Sequence, residues 1–238
     1  MNNLIKLIKG EIVRLMKYKI LGIGLLVSVI WAVIIYFSNP AELQSLIPLL
    51  IGVDATMMSI ILLAAGYFLE KQEGSVKSLL VAPVPAPMVL LAKVITAVLS
   101  GLLSGAIVIL TALIFHNYKI NILLITIYLI IIIVAHTAVG YLLTLHAKDF
   151  SALLAYAMLF IFLSFIPTIL FAVEIIPAAF EEVMLILPTH AALMMLTSLT
   201  ASVKDLVVIL SVLYLSILGF TLYPTVIFKK FKRAVMEG

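Results

Sequence analysis

Six long apolar runs leave this chain only one kind of fold. They cover residues 20–37, 48–69, 88–115, 120–145, 150–173 and 206–228. Each can carry a helix across about 30 Å of hydrocarbon. The runs are continuous rather than alternating, and an isolated strand in lipid leaves its backbone N–H and C=O groups unsatisfied. The expected fold class is therefore all-α: a polytopic membrane protein with six transmembrane helices, read as one transmembrane domain over residues 1–238. Composition agrees. The chain is 65% apolar and 11% charged, against about 45–50% and about 25% in soluble domains. That excludes a soluble enzyme, a disordered chain and a nucleic-acid partner, since too few charges remain to line a groove against phosphates. Cysteine is absent, which removes disulfides and thiolate chemistry.

Charge sets the orientation. Lys6, Lys9, Arg14, Lys17 and Lys19 precede the first run; Lys71, Lys77 and Lys93 surround the gap between the second and third. Lys148 follows the fourth, and Lys229, Lys230, Lys232 and Arg233 follow the sixth. Thirteen of the fifteen basic residues thus fall on one side, leaving Lys119 and Lys204 on the other with Glu42, Glu174, Glu181, Glu182 and Asp205. Positive charge marks the cytoplasmic side. Both termini are expected there, in a cytoplasmic (inner) membrane. The N-terminal run is too long for a signal-peptide core and no A-x-A site follows, so it reads as an uncleaved span.

Three segments lie between or before the spans. Residues 1–19 are amphipathic: Leu4, Ile5, Ile8, Ile12, Leu15 and Met16 share one helical arc, with Lys6, Lys9, Arg14 and Lys17 largely opposite. Such a helix lies in the interface, either as a simple anchor or as an elbow that also touches a cytoplasmic partner. Residues 70–87 read EKQEGSVKSLLVAPVPAP. Gly74 permits a sharp turn, and Ser75 is a good N-cap. Val76, Leu79 and Leu80 recur at helical spacing, and Pro83 ends the run. A helix of about two turns is unstable alone. With no soluble domain to cover its apolar face, it is read as docking in a groove on another protein, in preference to lying on lipid headgroups. Residues 174–205 are apolar in pieces too short to span, broken by Pro177 and Pro188. They read as outer re-entrant or interfacial helices forming a lid, with Glu181, Glu182 and His190 on it.

Polar residues inside the spans are candidates for a substrate path. Asp54 falls about two turns into the second run. It either meets a cationic substrate, pairs with Lys119 or Lys204, or makes a helix-packing hydrogen bond, the last being the more economical reading. His136, Thr137, Gly140, Tyr141 and Thr144 share a face of the fourth run, which packing also explains. Ala97, Gly101 and Gly105 form a small-residue face on the third.

Enzymatic readings fail on the residues. Glu181-Glu182 begins like the paired glutamates of membrane-embedded CAAX-type proteases, but Ile186 stands where that pattern wants Arg. No H-E-x-x-H motif is present, and none of the eleven glycines is followed by Lys, so there is no phosphate-binding loop. The chain is expected to be non-catalytic, with no cofactor or metal of its own.

The layout resembles the permease subunits of type-2 ABC exporters. The sharper likeness is Glu70-Lys71-Gln72-Glu73-Gly74-Ser75-Val76-Lys77-Ser78-Leu79-Leu80-Val81-Ala82-Pro83-Val84. It is similar to that family's pattern of an acidic stretch, Gly-Thr/Ser, two Leu and a small residue before Pro. Ile186-Leu187-Pro188-Thr189-His190-Ala191 resembles a Pro-Leu-Thr-Tyr-like stretch before the last span, with His in place of the aromatic residue. The resemblance implies a homodimer or paired permease in the lipid bilayer. It also implies an ABC ATP-binding subunit beneath, holding ATP and Mg, that contacts Glu70, Glu73, Gly74, Ser75, Val76, Leu79, Leu80 and Pro83. Export of a lipophilic drug, peptide antibiotic or lipid-linked molecule follows from it; an ATP-independent channel or membrane scaffold is the alternative.

Overall fold

A computed structural model describes residues 2–74 and 84–231. Among them the chain is helical: α1 (Asn2–Lys17), α2 (Ile20–Phe37), α3 (Leu43–Gln72), α4 (Ala86–His116), α5 (Ile122–His146) and α6 (Phe150–Ala172) come first. Two short helices, α7 (Glu181–Met184) and α8 (Pro188–Thr197), precede α9 (Asp205–Phe231). Six helices, α2 to α6 and α9, are long and apolar enough to cross a membrane.

Local chemistry sets the helix ends. Lys19, at φ 60°, turns the chain from α1 into α2. Asn121 and Asp149 cap α5 and α6 by accepting from the amides of Leu124 and Ala152 at 3.1 and 2.7 Å. Pro85 stands at the N-cap of α4 and Pro87 in its first turn, where an absent N–H is harmless. The second span begins at Leu43 rather than at Pro48; Pro48 lies inside α3, close enough to its start that little of the hydrogen-bond ladder is lost. The longer helix puts Asp54 about three turns from its beginning.

α5 is the central helix. It packs on α3, α4, α6, α8 and α9, and small residues allow the close approach. A Cβ on Gly140 would meet the Ile60 Cα at 3.2 Å, and one on Gly219 would meet the Ala135 backbone nitrogen at 3.3 Å. Gly101 and Gly105 of α4 face Ile133 and Leu129 of α5. α2 lies outermost, packed chiefly on α4.

The pieces before α9 form a sharply bent pair of short helices. The Ala178–Met184 and Pro188–Thr197 helices meet at 118°. Thr189 through Leu196 are all buried, walled by α3, α5, α6 and α9. Thr189 Oγ1 donates to the Ser164 carbonyl of α6 at 2.8 Å, and Thr200 Oγ1 to the Gln44 carbonyl at 2.8 Å. Tyr214 of α9 donates to the Ile186 carbonyl at 2.9 Å. The second satisfies the Gln44 carbonyl that Pro48, lacking an N–H, leaves open, and the third a turn carbonyl, neither of which lipid can satisfy.

Candidate functional site

α1, α2, α3 and α4 enclose a cleft of about 820 Å³, its open mouth included. At the mouth α1 meets the last turn of α3 and the first turns of α4. Arg14 pairs with Glu11 at 3.0 Å and with Glu70 at 2.6 Å. Lys93 pairs with Glu11 at 3.0 Å and also with Glu70. Glu11 and Glu70 are buried, and the Lys93 side chain is only 8% exposed. Burial works against the charge on Arg14, but the carboxylates of Glu70 and Glu11 outweigh it and hold the guanidinium above its ordinary value. Two acids and two bases thus neutralise one another where unpaired charge is costly.

A more exposed tether lies beside this cluster. Lys17 Nζ donates to Glu73 Oε1 at 3.1 Å, and the Tyr18 hydroxyl donates to Glu73 Oε2. The Tyr18 hydroxyl, followed by Lys17, lowers the Glu73 carboxyl below its ordinary range. Gly74 follows at φ +70°, a conformation that favours glycine. Ser75, Val76, Leu79, Leu80 and Pro83 lie outside the described residues. The groups flanking them are therefore clamped: Glu70 and Glu73 before the segment, and Lys93 after it, are all joined to α1.

The far end of the cleft is at Asp54, where α3 loosens into a π-turn over Asp54–Met58. Thr56 and Ser59 return their hydroxyl hydrogens to the Gly52 and Ala55 carbonyls. Ser28 of α2 contacts Ser104 of α4, and Ser104 donates to Asp54 Oδ2. Three helices are thereby joined by one buried polar chain. Asp54 Oδ1 is buried without a hydrogen-bond partner, as is the nearby Trp31 Nε1; the two interact without completing a bond of normal geometry.

The other sequence candidates lie elsewhere. His136, Thr137 and Tyr141 do not line this cleft. They form a buried packing seam on α5, where His136 Nδ1 is bonded to the Ile132 carbonyl and the Tyr223 hydroxyl donates to Thr137 at 2.9 Å. On the bent helix pair Glu181 pairs with Lys204 at 2.6 Å, so this lysine is not the partner of Asp54. Glu182 is exposed, while His190 is buried edge-on against Phe171 at 4.8 Å. Glu11 and the Ser28–Ser104 contact were not singled out from sequence. The one signal for the first was a lone acid in an otherwise basic N-terminal helix.

The fold and the cleft define a six-span helical membrane protein in which an amphipathic N-terminal helix is ion-paired to the flanks of an inter-span segment. A family model for the ABC-2 family transporter proteins matches residues 38–228, and the chain belongs to that family. No curated protein matches it.

Proposed function

We propose that this chain is the permease subunit of an ATP-driven exporter. It moves a lipophilic or amphipathic substrate across the cytoplasmic membrane, powered by a separate ATP-binding subunit. Both termini lie inside, and the working unit is a pair of permease chains. Family membership across residues 38–228 carries this reading. It is supported by a sequence with no phosphate-binding loop.

The segment between α3 and α4 is the coupling element. Closure of the ATP-binding subunits on ATP displaces this segment, and α3 and α4 move with it. The pair of Glu11 and Arg14 with Glu70 and Lys93 makes α1 part of the same lever. Two bundles rocking about a shared seam then alternate access between the two sides. Co-purification with the ATP-binding subunit tests the reading. The intact chain retains that subunit, and Leu79→Asp loses it while still inserting in the membrane. Retention by Leu79→Asp with normal ATP-driven transport contradicts the coupling role.

A further inference from the structure

We propose that the cleft between α2, α3 and α4 binds an amphipathic organic cation, with a protonated amine against Asp54 and an apolar body along the helices. This rests on the transport reading for its physiological meaning, and names the substrate class that reading leaves open.

The polar lining of the cleft's inner part offers acceptors and almost no donors. Ser59, Thr96 and Ser100 donate their hydroxyl hydrogens to the carbonyls of Ala55, Ala92 and Thr96 on their own helices. A hydroxyl has one hydrogen and two lone pairs, so what these residues present to an incoming group is lone pairs. Ser104 is likewise committed, to Asp54 Oδ2. Asp54 is 5% exposed, and its Oδ1 is met only by the Trp31 N–H, without a bond of normal geometry, so the carboxylate keeps accepting capacity. The cations that line the cleft, Arg14 and Lys93, sit at its mouth and are held by Glu11 and Glu70. Along α3 the mouth at Glu70 is about 24 Å from Asp54, at 1.5 Å per residue. Among the described residues no cation pairs with Asp54; a buried acid so placed is costly in a membrane, and an ammonium group supplies a partner. The walls suit the rest of such a molecule: Leu21, Leu25, Met58, Leu63 and Ala97 are apolar. Because the mouth is charge-balanced, it does not trap the cation before it reaches Asp54.

The test uses the full-length protein in lipid nanodiscs and two fluorescent probes of one shape. Dansylcadaverine carries a primary ammonium; its N-acetyl derivative is neutral. The wild-type protein is expected to bind the amine about tenfold or more tighter than the amide, the effect of one charge-assisted contact. Asp54→Asn abolishes that preference. Ala97→Phe fills the cleft without touching the carboxylate and weakens both probes. Equal binding of amine and amide by the wild type overturns the proposal. So does a preference that survives Asp54→Asn, or unchanged binding in Ala97→Phe. Should Asp54→Asn fail to fold, the wild-type preference and Ala97→Phe still decide. The readout needs no ATP-binding subunit. Lost amine selectivity with the subunit still captured removes the site alone; selective binding with no subunit captured removes the transport reading alone.

Discussion

Arg14 of the amphipathic helix α1 lies 2.6 Å from Glu70, in the last turn of the second span. The helix outside the bundle is therefore ion-paired to the turn from which the inter-span segment departs. Lys93, just beyond the segment's return, shares Glu70 and Glu11 with it. This arrangement makes the cluster a structural requirement of the mouth of the cleft. Lys93→Ala removes one of the ion-pair partners of each of two buried carboxylates, Glu11 and Glu70, a loss of about 3 kcal/mol for a broken buried pair. Unfolding in a graded detergent–denaturant series measures it. The double variant Lys93→Met with Glu11→Leu removes charge in matched amounts and is expected to recover most of the loss.

The neighbouring tether responds to pH. Glu73 has a folded-state value below its ordinary one of 4.5, because Tyr18 and Lys17 favour the carboxylate. A lowered carboxyl contributes stability that is present above the ordinary value and lost as pH falls through the lowered one. A carboxyl-carbon NMR titration of isotopically labelled glutamate is expected to place Glu73 below 4.5. Tyr18→Phe, which deletes the hydroxyl that donates to the carboxylate, moves it back up.

Two glycines separate packing from propensity. A side chain at Gly140 strikes the α3 backbone at Ile60, 3.2 Å away, and backbone cannot yield as a side chain can. Gly140→Val is expected to destabilise the bundle by about 1–3 kcal/mol. Gly10 has nothing within 4 Å of its added Cβ. There Gly10→Ala is expected to stabilise α1, by up to about 1 kcal/mol. The same unfolding assay reads both.

Gly74 sits at φ +70° directly before the inter-span segment. Proline holds φ near −65°, so Gly74→Pro cannot keep this turn. It is expected to abolish ATP-driven transport while leaving membrane insertion intact, whereas Gly74→Asn, tolerant of this conformation, retains a measurable rate. Vesicle efflux assays distinguish them.

How much of this was legible in the sequence follows from the range of each interaction. Spans are set by the length of an apolar run, a local property, and the first span is read to the residue as Ile20–Phe37. The start of α3 was read five residues late because Pro48 looked like a beginning, whereas the polar turn at residues 38–42 precedes it. The bent helix pair was visible as apolar pieces too short to cross, but the burial of His190 was not, since it depends on Phe171 from another helix. Neither polar contact that shapes the cleft was readable. Glu11, Arg14, Glu70 and Lys93 come from three helices, and Ser28, Ser104 and Asp54 from another combination of three. Of these residues Glu70 stood out only as part of the inter-span segment, and Asp54 because an acid within an apolar run is expensive wherever the helix ends up.

The account turns on a separate motor pushing on the segment between α3 and α4. The chain has no cysteine, so Leu79→Cys introduces a single addressable thiol there. In membranes containing the cognate ATP-binding subunit, a short thiol-directed photo-cross-linker at position 79 is expected to capture that subunit, with a yield that changes when ATP is added. A cross-link only to lipid or to the chain itself, unaltered by ATP while transport proceeds, contradicts the account.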